Sequence, residues 1–392
     1  MQDVFVVGAV RTPVGTFGGS LRDVTPRELG VIATREAVRR SSVEPATVGH
    51  VVFGQVVQTE PRDIYLSRVV GIEGGLPEET PALTVNRLCG SGLQAIISAA
   101  QYIRLGDTGI AVAGGAESMS RAPYQSTMTR WGARFGDAML VDVLSGALTD
   151  PFNRILMGVT AENVAKRYGI GREEQDIYAV ESHRRAARAI DEGRFASQIV
   201  GVPMRSKKGE TLFDTDEHVR HGATIADLGR LRTVFQKDGT VTPGNSSGMN
   251  DGAAAVVLAG EVAVKAQGLK PLARLVAYGH AGVDPAHMGI GPVPATRQAL
   301  EKAGLSVGDM DVIEANEAFA AQACAVSRDL GFDPDKVNPN GSGISIGHPV
   351  GATGAINTVK IVHELHRTGG RYGLVTMCIG GGQGIAAIFE RV

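Results

Sequence analysis

Cysteine is scarce in this chain of 392 residues: Cys89, Cys324 and Cys378 are the only three. They are far apart, odd in number and include no C-x-x-C pair, which argues against a disulfide framework and a structural zinc centre. What stays open is whether any of them is a reactive thiolate. An excess of one charge is lacking too. The formal net charge is −2 with both signs interspersed, so neither nucleic acid nor an anionic membrane surface is an expected partner. No apolar run is long enough to cross a bilayer. The opening Met1-Gln-Asp-Val-Phe-Val-Val-Gly enters a strand at once, with no basic or cleavable apolar leader, and a cytoplasmic protein is expected. No glycine run takes the form G-x-G-x-x-G in a strand–turn–helix setting, and none carries a Walker lysine, so nucleotide folds are not supported.

Glycine is what the chain has in abundance, 52 residues, many in short clusters that mark sharp turns or close backbone approach to a ligand. An apolar share of 43% supports one large core or two to three domains. Short β-branched runs alternate with longer amphipathic stretches, the pattern of an α/β fold. Val4–Val10, His50–Val57, Ala82–Arg87 and Gly109–Gly114 are expected strands. Thr25-Pro-Arg-Glu28 combines a capping box with proline at the first helical position and opens a helix to about Arg40. Gly92–Ile103 is expected to be a buried helix. The second half repeats the order: strand Leu272–Gly279, helix Ala295–Ala303, strand Val312–Ala315, helix Glu317–Asp329, helix Gly351–His366, and a closing hairpin of Gly373–Ile379 and Gly384–Glu390. The matching last strand of the first half is Ala253–Ala259. Two similar α/β halves are therefore expected: residues 1–118, completed by 249–270, and residues 271–392. Between them, 119–248 is an insertion that holds much of the charged and irregular sequence, including Arg205–Glu210 and His218–His221, and is expected to cover substrate or to contact another subunit.

Cys89 lies in Asn86-Arg-Leu-Cys-Gly-Ser-Gly92, between an expected strand and an expected buried helix. Such a turn aims backbone N–H groups and a positive helix end at the side chain, which favours thiolate. Its glycines would let a substrate carbonyl approach. A buried cysteine is more often a small hydrophobe, but this setting favours a nucleophile. His348, in Asn338-Pro-Asn-Gly-Ser-Gly-Ile-Ser-Ile-Gly-His-Pro-Val-Gly351, occupies the corresponding place in the second half and is placed to move protons at a substrate. Cys378 ends a strand before Gly380-Gly381-Gly382, a run able to offer N–H donors to an oxyanion; as a core residue it would be unremarkable. Asn316 is expected to cap the next helix, with a water-holding role as the alternative. Cys324 falls in an apolar helix and is expected to be core. Gly244-Asn-Ser-Ser-Gly248 has the spacing of a hydrolase elbow around Ser246, but it leads to a strand rather than a helix. His363 and His366 are expected to be solvated rather than metal-bound.

Together these segments resemble the thiolase family. The likeness runs from Arg11-Thr-Pro-Val-Gly-Thr-Phe-Gly to the C-terminus and is carried by Asn86–Gly92, Gly114-Gly115-Ala-Glu-Ser-Met119, Met157-Gly-Val-Thr-Ala-Glu-Asn163, Asn250-Asp-Gly-Ala253, Asn316-Glu-Ala-Phe319, Gly347-His-Pro-Val-Gly351 and Cys378-Ile-Gly-Gly-Gly382. Glu60-Pro-Arg-Asp63, Asn338–Gly343 and the ending Gly384–Arg391 are most like the β-ketothiolases of polyhydroxyalkanoate-forming bacteria, of the type accepting chains longer than acetyl. The resemblance implies a five-layered α/β/α/β/α thiolase fold from two duplicated halves, with a coenzyme-binding loop domain inserted in the first. It implies that Cys89 attacks an acyl-CoA with help from His348, and that Cys378 moves the α-proton of acetyl-CoA. The oxyanions would be held by His348 with an Asn316-bound water, and by the N–H groups of Cys89 and Gly380. Coenzyme A, a substrate rather than a resident cofactor, would run along Arg220, Ser247, Met157, Leu148, Phe235 and Phe319. No metal and a homotetramer, a dimer of dimers with a contact around Gln125–Leu140, are further implications. Leu156, Pro243 and Ser246 depart from the pattern of related biosynthetic enzymes, and bear on chain length and coenzyme affinity. The competing readings are a ketoacyl-synthase-like condensing enzyme, a serine hydrolase using Ser246, and a non-catalytic acyl-CoA-binding protein.

Overall fold

In the computed structural model, residues 2–206 and 209–392 are described. The charged run Arg205–Glu210 contains Lys207 and Lys208, which lie outside them. The first half gives β1 (Val4–Arg11), α1 (Pro26–Ser41), β2 (His50–Gly54), α2 (Leu66–Glu73), β3 (Ala82–Val85), α3 (Ser91–Leu105) and β4 (Ile110–Ser118). After α4 (Met157–Tyr168) and α5 (Arg172–Asp191), the chain returns as β5 (Asn250–Gly260). The second half gives β6 (Ala273–Gly282), α6 (Pro292–Ala303), β7 (Val312–Ala315), α7 (Ala320–Leu330), α8 (Thr353–Thr368), β8 (Tyr372–Ile379) and β9 (Gln383–Arg391). The capping box of α1 forms as its sequence requires: the Thr25 hydroxyl accepts the Glu28 N–H, and the Glu28 carboxylate accepts the Thr25 N–H.

One ten-stranded sheet runs β7-β8-β9-β6-β1-β5-β4-β2-β3, with Gly15–Thr16 added beside β5. Its middle is the short antiparallel pairing of β1 with β6, and outward from there the two sides repeat each other. On one side come β1, β5, β4, β2 and β3; on the other, β6, β9, β8, β7 and a single parallel bridge from Ile313 to Val337. That bridge stands where β3 stands in the first half. Cys89 follows β3, and His348 follows the bridge, so the repeat itself delivers both to matching places.

Strand residues alternate between two cores, as the pleat dictates. Ala254, Val256 and Leu258 of β5 face a central core with Ile96, Ile97 and Ile103 of α3, Ile356, Val359 and Val362 of α8, and Val375 and Met377 of β8. Ala253, Ala255 and Val257 face the other way, toward Leu29, Ala33 and Ala37 of α1. A third core holds Val293 and Ala299 of α6 against Leu374, Ala386 and Ile388. Helices α3 and α8 thus form the middle of five layers, between two sheet halves that are covered outside by α1 and α6.

Of the boundaries that differ from the sequence expectation, four have a reason visible in the hydrogen bonding. Strand β2 stops at Gly54 rather than Val57, because the N–H groups of Val56 and Val57 go to the Glu117 carboxylate. Strand β3 stops at Val85 rather than Arg87, where Asn86 Oδ1 accepts the Leu88 N–H at 2.9 Å and Leu88 takes a left-handed φ of 46°. Strand β4 runs on past Gly114 to Ser118, because β5 continues to pair with it as far as Asp251. Helix α7 begins at Ala320 and not at Glu317, so its first turn is capped at Phe319 and Asn316 is no cap at all.

Candidate active site

Leu88 is the only residue of the Cys89 turn in the left-handed region; this strained step lifts the half-buried Cys89 to the mouth of α3, whose helix starts two residues on. The flanking glycines serve packing rather than substrate access. A Cβ on Gly90 would lie 2.6 Å from Ile379 Cδ1, and one on Gly92 would lie 2.7 Å from the Ala355 nitrogen. Helix α3 is thereby seated directly on the start of α8 and the end of β8. Cys89 packs with Leu148, Met119 and Val350. Its sulfur accepts hydrogen bonds from the N–H of Gly380 and from its own N–H.

Those donors favour thiolate, as the sequence predicts, but they do not win. Burial pushes the Cys89 thiol up to about 11, and the nearby Glu117 carboxylate adds to the shift. The resting nucleophile is a thiol and needs a base. Cys378 is buried on β8 and close enough to Cys89 to feel it; burial first, and Cys89 second, raise its thiol well above the ordinary range.

His348 is buried rather than a surface loop residue. Its N–H donates to Asn250 Oδ1 at 2.8 Å. The Thr353 hydroxyl donates to the Pro349 carbonyl at 3.0 Å, which leaves its oxygen to accept from His348 Nδ1 at 2.6 Å. Nδ1 therefore carries the ring proton and Nε2 is the free base. Burial holds the imidazole down to about 4, so it is neutral at physiological pH and able to take a proton. Asn316 Nδ2 lies 3.4 Å from Nε2, while its buried Oδ1 has no partner among the described residues. Asn250, Thr353 and Glu117 were not singled out by sequence reasoning as site residues. Only the motifs around Asn250 and Glu117 pointed to them.

The structure also arranges the residues expected to meet coenzyme A. Met157, Phe235 and Phe319 pack around Cys378, with Phe235 and Phe319 edge to face at 6.2 Å. Leu148 packs beside Cys89. The Ser247 N–H donates to the Ala318 carbonyl at 2.9 Å, next to Phe319. Arg220 is exposed, its backbone N–H given to His183 Nδ1 at 3.2 Å. Leu156, a departure from the biosynthetic pattern, is 42% exposed beside Met157.

Other expectations divide. Ser246 is buried and its hydroxyl donates to the Thr242 carbonyl at 2.8 Å, an anchor for the loop and no nucleophile. Cys324 is core, packed with Val164, Ile170 and Ala325. His363 is not solvated: Nε2 contacts the Ala9 carbonyl at 3.1 Å and Nδ1 the Ser197 hydroxyl at 3.0 Å. His366 is exposed but also bonds a carbonyl, that of Leu272. Among the described residues no cluster of three or more His, Cys, Asp or Glu could hold a metal, and no helix is long and apolar enough to cross a membrane. A cavity of about 330 Å³ behind Glu317 is lined by Tyr178, Cys324 and Phe332, but by none of Cys89, His348 or Cys378.

A half-buried thiol and a buried one beside a neutral histidine with an unprotonated Nε2, all at the ends of duplicated halves, are a site for acyl transfer through sulfur. The family model for the N-terminal domain of thiolase matches residues 4–262, and that for the C-terminal domain matches residues 269–391. The chain belongs to the thiolase family. This thiolase is 68% identical over 392 residues to Beta-ketothiolase BktB of Cupriavidus necator, covering all of both chains. It is 48% identical to Acetyl-CoA acetyltransferase of Syntrophomonas wolfei, covering 99% of each. The crystal structure of human mitochondrial 3-ketoacyl-CoA thiolase superposes with a TM-score of 0.98 at 48% identity, over 100% of this chain and 99% of that one. As a thiolase it is an acyltransferase, with coenzyme A thioesters as its substrates.

Proposed function

We propose that this thiolase is a β-ketothiolase that interconverts a 3-ketoacyl-CoA plus coenzyme A with acetyl-CoA plus an acyl-CoA shorter by two carbons. The observation that carries the reading is the neutral His348, its Nε2 lone pair fixed by the Thr353 bond, in a site with two protonated cysteines. In thiolysis, His348 Nε2 takes the Cys89 proton and the thiolate adds to the 3-keto carbonyl. The Cα–Cβ bond breaks, leaving acyl-Cys89 and the carbanion of acetyl-CoA. Cys378 gives its proton to that carbanion. The Cys378 thiolate then takes the proton of an incoming coenzyme A thiol, whose sulfur attacks acyl-Cys89. Cys89 leaves as thiolate and recovers its proton from His348, so both thiols and the neutral imidazole return. Condensation is the reverse.

The Gly380 N–H that bonds Cys89 sulfur, together with the Cys89 N–H, supports an oxyanion site at the acyl carbonyl. The unpartnered Asn316 Oδ1 supports a water that, with His348, faces the second thioester oxygen. The packing of Met157, Phe235, Phe319 and Leu148 around the two thiols supports an apolar channel for pantetheine, with Ser247 along it and Arg220 at its exposed end for phosphate. On this reading residues 119–248 form the inserted coenzyme-binding loop domain between the halves 1–118 with 249–270 and 271–392. Trp131, Phe135, Met139 and Leu140 are 66–101% exposed, an apolar stretch that supports a homotetramer built through this loop. Sedimentation should find four copies together, and a monomer in solution would contradict it. A place in the cytoplasm, and acyl chains longer than acetyl, as the BktB likeness supports, complete the reading. The test is thiolysis of 3-ketovaleryl-CoA by coenzyme A. The expected products are acetyl-CoA and propionyl-CoA, absent with Cys89→Ser; release of free acid instead would overturn it.

A further inference from the structure

Glu117, at the end of β4, is fully buried, and no cation pairs with it among the described residues. Two other buried acids are paired with a cation: Asp216 with Arg11, and Glu314 with Lys360. A lone carboxylate in such a place is costly unless its oxygens are taken up by donors. Three backbone N–H groups do this. Val56 donates to Oε2 at 3.0 Å, Gly351 donates to the same Oε2 at 2.9 Å, and Val57 donates to Oε1 at 3.1 Å.

These donors come from the two halves of the molecule. Val56 and Val57 follow β2, whose Gly54 sits so close to the start of α3 that a Cβ there would be 2.7 Å from the Gly92 nitrogen. That segment therefore bears directly on the Cys89 turn. Gly351 lies three residues beyond His348, and a Cβ on it would meet Glu117 Oε2 at 2.5 Å and Gln55 Cα at 2.9 Å. We propose that Glu117 is a positioning residue that holds the Cys89 turn and the His348 loop in register, by binding backbone amides from both halves with one carboxylate. Removing the carboxylate frees both segments at once, and proton transfer between Cys89 and His348 is the step that suffers. Glu117 also acts on Cys89 through space, against the thiolate, as a smaller addition to burial. Burial first, and Asp63 in addition, lift the Glu117 carboxyl itself to about 8, so it is charged at pH 9. The clamp thus adds to burial in keeping the nucleophile protonated until His348 takes its proton. This inference rests on Cys89 as the acylated nucleophile.

The variant Glu117→Gln keeps shape and loses the charge and one acceptor; Glu117→Asp keeps the charge and draws it back. Two rates are read on each full-length enzyme at pH 9: acetylation of Cys89 by acetyl-CoA, which needs His348 in register, and alkylation of Cys89 by iodoacetamide, which needs only thiolate. Acetylation is expected to fall about 100-fold in both variants with KM for coenzyme A unchanged. Alkylation is expected to rise in Glu117→Gln and not in Glu117→Asp, an outcome that loosened packing alone does not give. A folded Glu117→Gln that acetylates within twofold of the parent overturns the proposal. Hydrogen exchange in the parent enzyme gives a check that does not depend on how the variants fold. The amides of Val56, Val57 and Gly351 are expected to exchange as slowly as those of β4, and exchange at loop rates overturns the clamp. Failure of the parent itself to acetylate at Cys89 would refute the thiolase mechanism instead, so the two failures are distinct.

Discussion

Cys378→Ser is expected to acetylate at Cys89 within about tenfold of the parent rate and to turn over 10²–10⁴-fold more slowly. The difference follows from what each step asks of residue 378. Loss of coenzyme A from Cys89 chemistry expels a thiolate, a good leaving group that needs little acid. Making or quenching the acetyl-CoA carbanion is another matter, because carbon gives up its proton only to a base placed against it. Cys378 is 1% exposed and packed by Met157, Met288 and Phe319, so no water stands in for it. A serine hydroxyl fits the space but is a far weaker acid than a thiol and does not reach the anion the cycle requires. Rapid-quench mass analysis of the Cys89 peptide, beside steady-state thiolysis, reads the two rates separately. Equal loss of both would mean that Cys378 positions Cys89 and does not move the α-proton.

Lys360→Met is expected to cost about 3–5 kcal/mol of stability. Lys360, on α8, is 2% exposed, with Nζ 2.5 Å from Glu314 Oε2 and 2.7 Å from the Gly341 carbonyl. The pair ties α8, β7 and the loop leading to His348 into one unit. Methionine fills the volume and leaves a buried carboxylate with nothing to answer it. Burial lifts the Glu314 carboxyl from 4.5 to about 7 even with Lys360 beside it. The native state then holds a proton that the unfolded chain has lost, so this group's contribution to stability falls as pH rises between those values. Without Lys360 the carboxyl rises further, and the deficit of Lys360→Met should be larger at pH 8 than at pH 5. Denaturation at the two pH values measures this. A deficit independent of pH would show that packing, not the ion pair, sets the cost. Glu314→Leu/Lys360→Met, which removes both charges, should recover much of the loss.

The role of Cys378 is legible in the chain through its family resemblance; the pair of Lys360 with Glu314 is not. The sequence does show what is local or periodic: the capping box at Thr25, the alternation along Ala253–Ala259, and the repeat that sets Cys89 and His348 in matching loops. It misplaces elements whose ends are decided from a distance. Strand β2 ends where Glu117, sixty residues on, claims its amides, and Asn316 reads as a cap until α7 is seen to start at Ala320 with Phe319 as its cap. The helix end beside Cys89 suggests thiolate, but desolvation by the surrounding layers outweighs it. Long-range ion pairs such as Arg11 with Asp216, fully buried at 2.7 Å between β1 and the inserted segment, leave no signal in spacing at all.

The central claim is that Cys89 carries the acyl group. Mixing the enzyme with acetyl-CoA and no acceptor, then measuring intact mass and mapping the peptides beside Cys89→Ser, tests it most directly. One acetyl group on the Cys89 peptide, absent from the variant, is the predicted result. No adduct, or an adduct on any other residue, would contradict the account.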